Sequence, residues 1–173
     1  SAEGKEVARF TALMQREEGI EIPRDTPGHP PPAAPKPPGR CPAVTMNFVD
    51  GSFGYARLVE NRLAEGHFFN GPCAAWFRMA HPLVKGEPPS PYQRVAVAAD
   101  SGNGISAALN FGKYTFINCD LTINLFRRPE GEWICLDSRT LFGANGCGMA
   151  ESALYDERGM IGRATQSLAV RAR

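Results

Sequence analysis

From Phe116 to Leu125 apolar and polar residues alternate without a break. Ile117, Cys119, Leu121, Ile123 and Leu125 share one face; Asn118, Asp120, Thr122 and Asn124 share the other. That period predicts a half-buried strand. Glu130-Gly131 then supplies a turn into Trp133-Ile134-Cys135-Leu136. Asn145-Gly146 is the dipeptide that best supplies positive φ for a two-residue hairpin. Asp156-Glu157-Arg158-Gly159 closes a last hairpin, with Gly159 suited to the position that ends a type I turn. Lys113 to Arg173 is therefore expected to form four consecutive antiparallel strands in a meander. Upstream, Phe53–Ala64 and Cys73–His81 predict two more strands, with Glu65-Gly66 and Asn70-Gly71 as turn material. Between the two sets lies a helix. Ser90 is its capping side chain, and Pro91 stands in the first turn, where a missing N–H does no harm. Tyr92 to Ala99 continue it with Val95, Ala98 and Ala99 as a small apolar face, and Gly102-Asn103-Gly104 should break or bend it.

The N-terminal part reads differently. Residues 5–16 fit a strand after the turn Glu3-Gly4, and Val7, Phe10, Leu13 and Met14 fit helical spacing equally well. From Pro23 to Pro42 nearly every second residue is proline, with Pro30-Pro31-Pro32 and Pro37-Pro38 inside. Such a segment neither pairs within a sheet nor continues a helix, so a stiff, extended connector is expected.

Composition narrows the partners. With 173 residues and a formal net charge of +1, the chain has one ordinary domain's worth of core and no basic stripe, which argues against nucleic acid. Small anions such as acyl-CoA need only a few local Arg or Lys. Five cysteines (41, 73, 119, 135 and 147) are an odd count in a chain with ample core, so reduced thiols of a cytoplasmic protein are expected rather than a disulfide framework. No CxxC and no histidine cluster marks a metal site, and no cofactor is called for. The apolar runs are too short to span a membrane, and Ser1-Ala2-Glu3-Gly4-Lys5 begins nothing like a signal peptide. His29 falls in the proline segment, His67 in a turn, and His81 precedes Pro82 with no serine or cysteine elbow beside it, so a triad is unsupported. Cys147 has no basic sequence neighbour to activate it.

Three polar residues each admit more than one reading. Gln166 stands on a strand face otherwise made of Met160, Gly162, Ala164, Leu168 and Val170. A buried amide there costs about 1–3 kcal/mol unless its hydrogen bonds are met, so it either completes a structural network or faces a ligand. Asp100 lies near a helix C-terminus, where a negative charge is unfavourable by about 0.3–1 kcal/mol; it reads as a turn residue or as a placed carboxylate. Asn118 belongs to a polar strand face that, for Thr122 and Asn124, is simply solvated.

The order strand, strand, helix, strands resembles the hotdog fold, an α+β architecture in which a curved antiparallel sheet wraps one central helix. More closely, residues 43–172 resemble the C-terminal half of the double-hotdog, acyl-CoA thioesterase II type. The resemblance rests on Asp100-Ser101-Gly102-Asn103-Gly104, Asn118-Cys119-Asp120-Leu121-Thr122, Glu132-Trp133-Ile134-Cys135-Leu136-Asp137, Gly146-Cys147-Gly148-Met149-Ala150, and Tyr155-Asp156-Glu157-Arg158-Gly159 leading to Ala164-Thr165-Gln166-Ser167-Leu168. It implies a thioester hydrolase whose water is held by a carboxylate on the helix, a Thr or Asn on the next strand and a Gln on the last. Here those are Asp100, Asn118 and Gln166. Aligning on Asn103 instead puts Ser101 at the acidic position, which leaves a second reading, a non-catalytic acyl-thioester-binding or structural half. A hotdog hydratase would need a catalytic histidine, and none falls on the helix or the strands after it. The same resemblance implies that residues 1–18 are the last strand of a further, N-terminal hotdog, that 19–42 are a linker and that 43–173 are the C-terminal hotdog. The expected partners are an acyl-CoA or related thioester and either that N-terminal hotdog or a second copy of the chain.

Overall fold

The computed structural model describes residues 4–28, 30–45 and 54–173. Ser1–Glu3, His29 and Phe53 therefore lie outside the described residues. The chain divides into two units, Ser1–Pro30 and Pro31–Arg173. In the first, residues 6–22 carry no helix or strand, and the side chains of Val7, Phe10, Leu13 and Met14 are exposed.

Among the described residues the second unit holds one eight-stranded antiparallel sheet. Its strands are β1 (Ala43–Val44), β2 (Val59–Gly66), β3 (Cys73–Met79), β4 (Tyr114–Asn118), β5 (Thr122–Leu125), β6 (Trp133–Phe142), β7 (Cys147–Asp156) and β8 (Gly159–Ala172). The order across the sheet is β1-β2-β3-β6-β7-β8-β4, with β5 also on β8. The helices are α1 (Gly54–Leu58), α2 (Pro91–Ala99) and α3 (Gly102–Ser106). The inner core joins Val95, Ala98 and Ala99 of α2 to Ala75, Phe77, Ile134, Leu136 and Leu154 of the sheet. Helix α2 starts as expected, in a capping box: Ser90 Oγ accepts from Gln93 N–H, and the Gln93 side chain accepts from Ser90 N–H.

Three expectations need correction. First, the meander holds only for β6-β7-β8; β4 and β5 cross to the far edge of β8, while β3 takes the place beside β6. Second, the alternating run 116–125 is two strands, not one. Asn118 opposes Leu168 and Thr122 opposes Thr165, so four steps on this edge match three on β8, a bulge. Asp120 holds the bulge by accepting from Ser167 N–H at 2.6 Å and from its hydroxyl at 3.2 Å. The extra residue reverses the facing. Phe116 is buried and Ile117 is 59% exposed, while Leu121, Ile123 and Leu125 still pack on the core. Third, residues 54–58 form α1 rather than the start of a strand.

The part of the proline segment within the second unit packs on the sheet's outer face. Trp76 Nε1–H donates to the Lys36 carbonyl at 2.8 Å, and Cys41 joins Ala74, Trp76, Trp133, Cys135 and Tyr155 in a second core. Pro38–Arg40 make a single 3-10 turn there. With a layer on each side, β3 and the start of β6 are buried almost continuously, which is why they read as near-unbroken apolar runs.

The last hairpin is locked by one ion pair. Arg127 grips Asp156, which is fully buried, through two bonds of 2.6 Å, and donates to the Gly159 and Met160 carbonyls at 3.0 Å. The N–H groups of Glu130 and Arg158 complete the carboxylate's shell at 2.9 and 2.8 Å. Burial pushes Asp156 up, but Arg127 and these N–H groups more than offset it and hold it below the usual value. Its folded pKa thus lies below the unfolded value of about 3.9, so its stabilisation is present above that pH and fades as pH falls through the folded value. Arg127→Met, which leaves the buried carboxylate alone, should lower unfolding free energy at pH 7 by about 3–5 kcal/mol in urea titrations, and the deficit should shrink at acid pH. A loss below 1 kcal/mol would show that the clamp is not needed.

Candidate active site

The site forms where α2 ends. Asp100 caps α2, its N–H bonded to the Ala96 carbonyl at 3.3 Å, and Ser101 joins it to α3. The glycines do not break the helix, as expected from sequence; the break falls one residue earlier, and Gly102 and Gly104 lie inside α3. Close approach is the reason for the first of them. A Cβ on Gly102 would stand 2.7 Å from Ser152 Oγ and 3.4 Å from Gln166 Oε1. Beneath α3 the sheet presents a polar floor: Ser138 and Ser152 hydroxyls pair at 2.7 Å, and Ser106 bonds Thr140 at 2.7 Å and the Gly102 carbonyl at 2.8 Å.

Gln166 belongs to this floor. It is 2% exposed; its Oε1 accepts from Asn103 N–H at 2.9 Å and its Nε2 donates to the Asp100 carbonyl at 3.2 Å. One amide thus bridges both sides of the helix junction and retains one N–H and one lone pair. The Asp100 side chain turns to the strand, where Oδ1 accepts from Asn118 Nδ2 at 3.2 Å. The bulge makes this meeting available: it leaves Asn118 on the Phe116 face, the face that the helices cover, instead of grouping it with Thr122 and Asn124. Both side chains are exposed. The structure therefore brings Asp100, Asn118 and Gln166 together, with Asp100 and not Ser101 turned to Asn118.

Ser101 takes another partner. Its hydroxyl lies 2.6 Å from the Tyr55 hydroxyl, contributed by α1. Sequence reasoning missed Tyr55, the Ser138–Ser152 pair and Thr140. The serines had a faint signal, for they interrupt inner faces that are otherwise apolar (Ile134, Leu136; Ala150, Leu154). Tyr55 had none. Burial raises the Cys73 thiol to about 12, with the Asp137 charge adding, and raises Cys41 and Cys135 as well, so none of the three is a poised nucleophile. His67 and His81 are exposed and take no part. Among the described residues no cluster of metal-ligating side chains occurs.

A curled antiparallel sheet carrying a helix and a polar helix–strand site of this kind is the hotdog fold. The chain belongs to the acyl-CoA thioesterase C-terminal domain family, which matches residues 23–170. No curated protein matches it. Among solved structures it is similar to the acyl-CoA thioesterase II TesB2 of Mycobacterium marinum, with 14% identity and a TM-score of 0.57 over 91% of this chain and 60% of that one. It is similar too to the tesB protein of Mycobacterium avium subsp. paratuberculosis, with 12% identity and a TM-score of 0.54 over 91% of this chain and 57% of that one. A hotdog-fold protein of unknown function from Alicyclobacillus acidocaldarius gives 14% identity and a TM-score of 0.58 over 96% of this chain and 59% of that one. At these identities the likeness is one of fold, and the chain spans about three fifths of each neighbour's length.

The contact at Gly102 makes a prediction. Gly102→Ala should cost about 1–3 kcal/mol by overpacking, and clearly less when Ser152 is also Ala, in a double-mutant cycle read by thermal or urea unfolding. Equal costs in both backgrounds would show that the close approach is not what requires glycine.

Proposed function

We propose that this domain hydrolyses an acyl-CoA or related thioester, with Asp100 as the base. Asp100 takes a proton from water as the oxygen attacks the thioester carbonyl. The tetrahedral intermediate then collapses, the C–S bond breaks, Asp100 returns its proton to the departing sulfur, and a carboxylic acid and a thiol leave. Asn118 and the remaining N–H of Gln166 hold the water and the developing oxyanion. The observation that carries the reading is the Asp100–Asn118 contact at an accessible point of the sheet edge, with the Asp100 backbone fixed by Gln166. Family membership supports the reaction class.

Completion of the site by a second hotdog, either an N-terminal one whose last strand would be residues 1–18 or another copy of the chain, belongs to this proposal. So does residence in the cytoplasm, which the free thiols support; among the described residues no helix is long and apolar enough to cross a membrane.

One observation favours a second reading. Gln166 already bonds backbone on both sides, as a purely structural amide would, and this supports a binding or structural half.

A panel of acyl-CoAs with a thiol reagent separates the two. Asp100→Asn should lower kcat by about 10²–10⁴-fold, the usual weight of a general base, while leaving binding of a non-hydrolysable analogue unchanged. Turnover that survives both Asp100→Asn and Gln166→Ala would refute the mechanism, and analogue binding without any wild-type turnover would select the second reading.

A further inference from the structure

Between α2 and α3 the backbone of Asp100 is held on one side, by Gln166. Its other side is held by a residue that the hydrolase reading does not use. The Tyr55 hydroxyl lies 2.6 Å from Ser101 Oγ and 3.4 Å from the Val97 carbonyl. A phenol has one proton to give. Both contacts are met when Ser101 O–H donates to Tyr55 and Tyr55 O–H donates to Val97, a carbonyl in the last turn of α2. The two anchor points bracket Asp100, three residues before it and one after. Ser101 is also the residue through which the two helices connect, its N–H bonded to the Ala98 carbonyl at 2.9 Å and its carbonyl to Ile105 N–H at 3.0 Å.

Resting on the hydrolase reading above, we propose that Tyr55 is a positioning residue of this site: through Ser101 and Val97 it clamps the helix junction so that Asp100 faces Asn118. The need for a clamp is physical. A carboxylate at a helix C-terminus is repelled by the helix dipole, and an exposed Asp100 has several rotamers to choose from. Gln166 fixes the Asp100 carbonyl from below, and Tyr55 fixes the peptide run on either side of it. Neither touches the carboxylate, and each narrows where it can point.

The geometry also couples Tyr55 to Asp100 electrostatically. The protein packed around the hydroxyl pushes the Tyr55 phenol above its usual value, the Ser101 bond pulls it back, and the Asp100 charge adds to the rise. Tyr55 thus keeps its proton throughout the neutral range and serves as a neutral tether.

Tyr55→Phe keeps the ring and removes only the hydroxyl. On the best acyl-CoA it should lower kcat by about tenfold to a hundredfold with KM unchanged, the scale expected of a misplaced base. Ser101→Ala should do the same, and the double variant should be no slower than either single one. A merely structural tyrosine would lower the melting temperature and leave kcat per folded molecule where it was; that result, or additive losses, would overturn the proposal. A second readout needs no turnover. With tyrosine labelled at Cζ, the Tyr55 phenol signal should titrate at lower pH in Asp100→Asn and at higher pH in Ser101→Ala, and no movement in either would show that the clamp does not exist. If the wild-type chain hydrolyses no thioester, the hydrolase reading fails by itself, and the clamp is judged on the tyrosine titration alone.

Discussion

Where α2 stops and α3 starts, the Asp100 carbonyl and the Asn103 N–H lose the partners that a continuous helix would give them. Leaving such groups buried and unpaired costs about 1–3 kcal/mol each. The Gln166 carboxamide supplies the acceptor and the donor at once, from the buried face of β8. This bridge explains neighbouring features that otherwise look unrelated. Gly102 has no side chain because the junction must come down onto Gln166 and Ser152. The floor under α3 is serine and threonine because the next hydroxyls must pair among themselves. Asp100 ends up at the sheet edge because its backbone is pinned directly above β8, beside the strand that carries Asn118.

The second constraint is the bulge between β4 and β5. Without it, Asn118 would continue the face of Thr122 and Asn124 and look away from the helices. One additional residue, held by Asp120 on Ser167, reverses that facing over a few residues. Bulges are commonly used to re-aim a side chain at a sheet edge, and the Asp100–Asn118 contact depends on this one.

Much of this was legible in the chain and some was not, for physical reasons. Strands β6 to β8 and the start of α2 were readable because period-2 alternation, Gly-containing turns and the Ser90-Pro91 cap are local signals. Gln166 stood out as a polar residue on an apolar face, and its two outcomes, structural network or ligand contact, could not be separated without seeing what lay across from it. The bulge left no trace, because the run 116–125 alternates through it; only pairing with β8 reveals the additional residue. The crossing of β4 and β5 to the far edge is equally non-local. Gly102 and Gly104 looked like a helix break on propensity; at Gly102 the tertiary demand for close approach is what requires glycine, inside α3. The packing of Ala34, Lys36 and Cys41 on Trp76 and Cys135 depends on an outer apolar face that the alternation partly concealed.

The central claim is that Gln166 holds the helix junction, and amide hydrogen exchange of Asn103 measures it most directly, since that N–H is the one Gln166 Oε1 accepts. In the wild-type domain the Asn103 amide should exchange slowly, with protection approaching that of β7 and β8. In Gln166→Ala it should exchange far faster, while the amides of β6–β8 keep most of their protection, a local opening rather than global unfolding. An Asn103 amide that exchanges rapidly in the wild type, or one unaffected by loss of Gln166, would contradict the account.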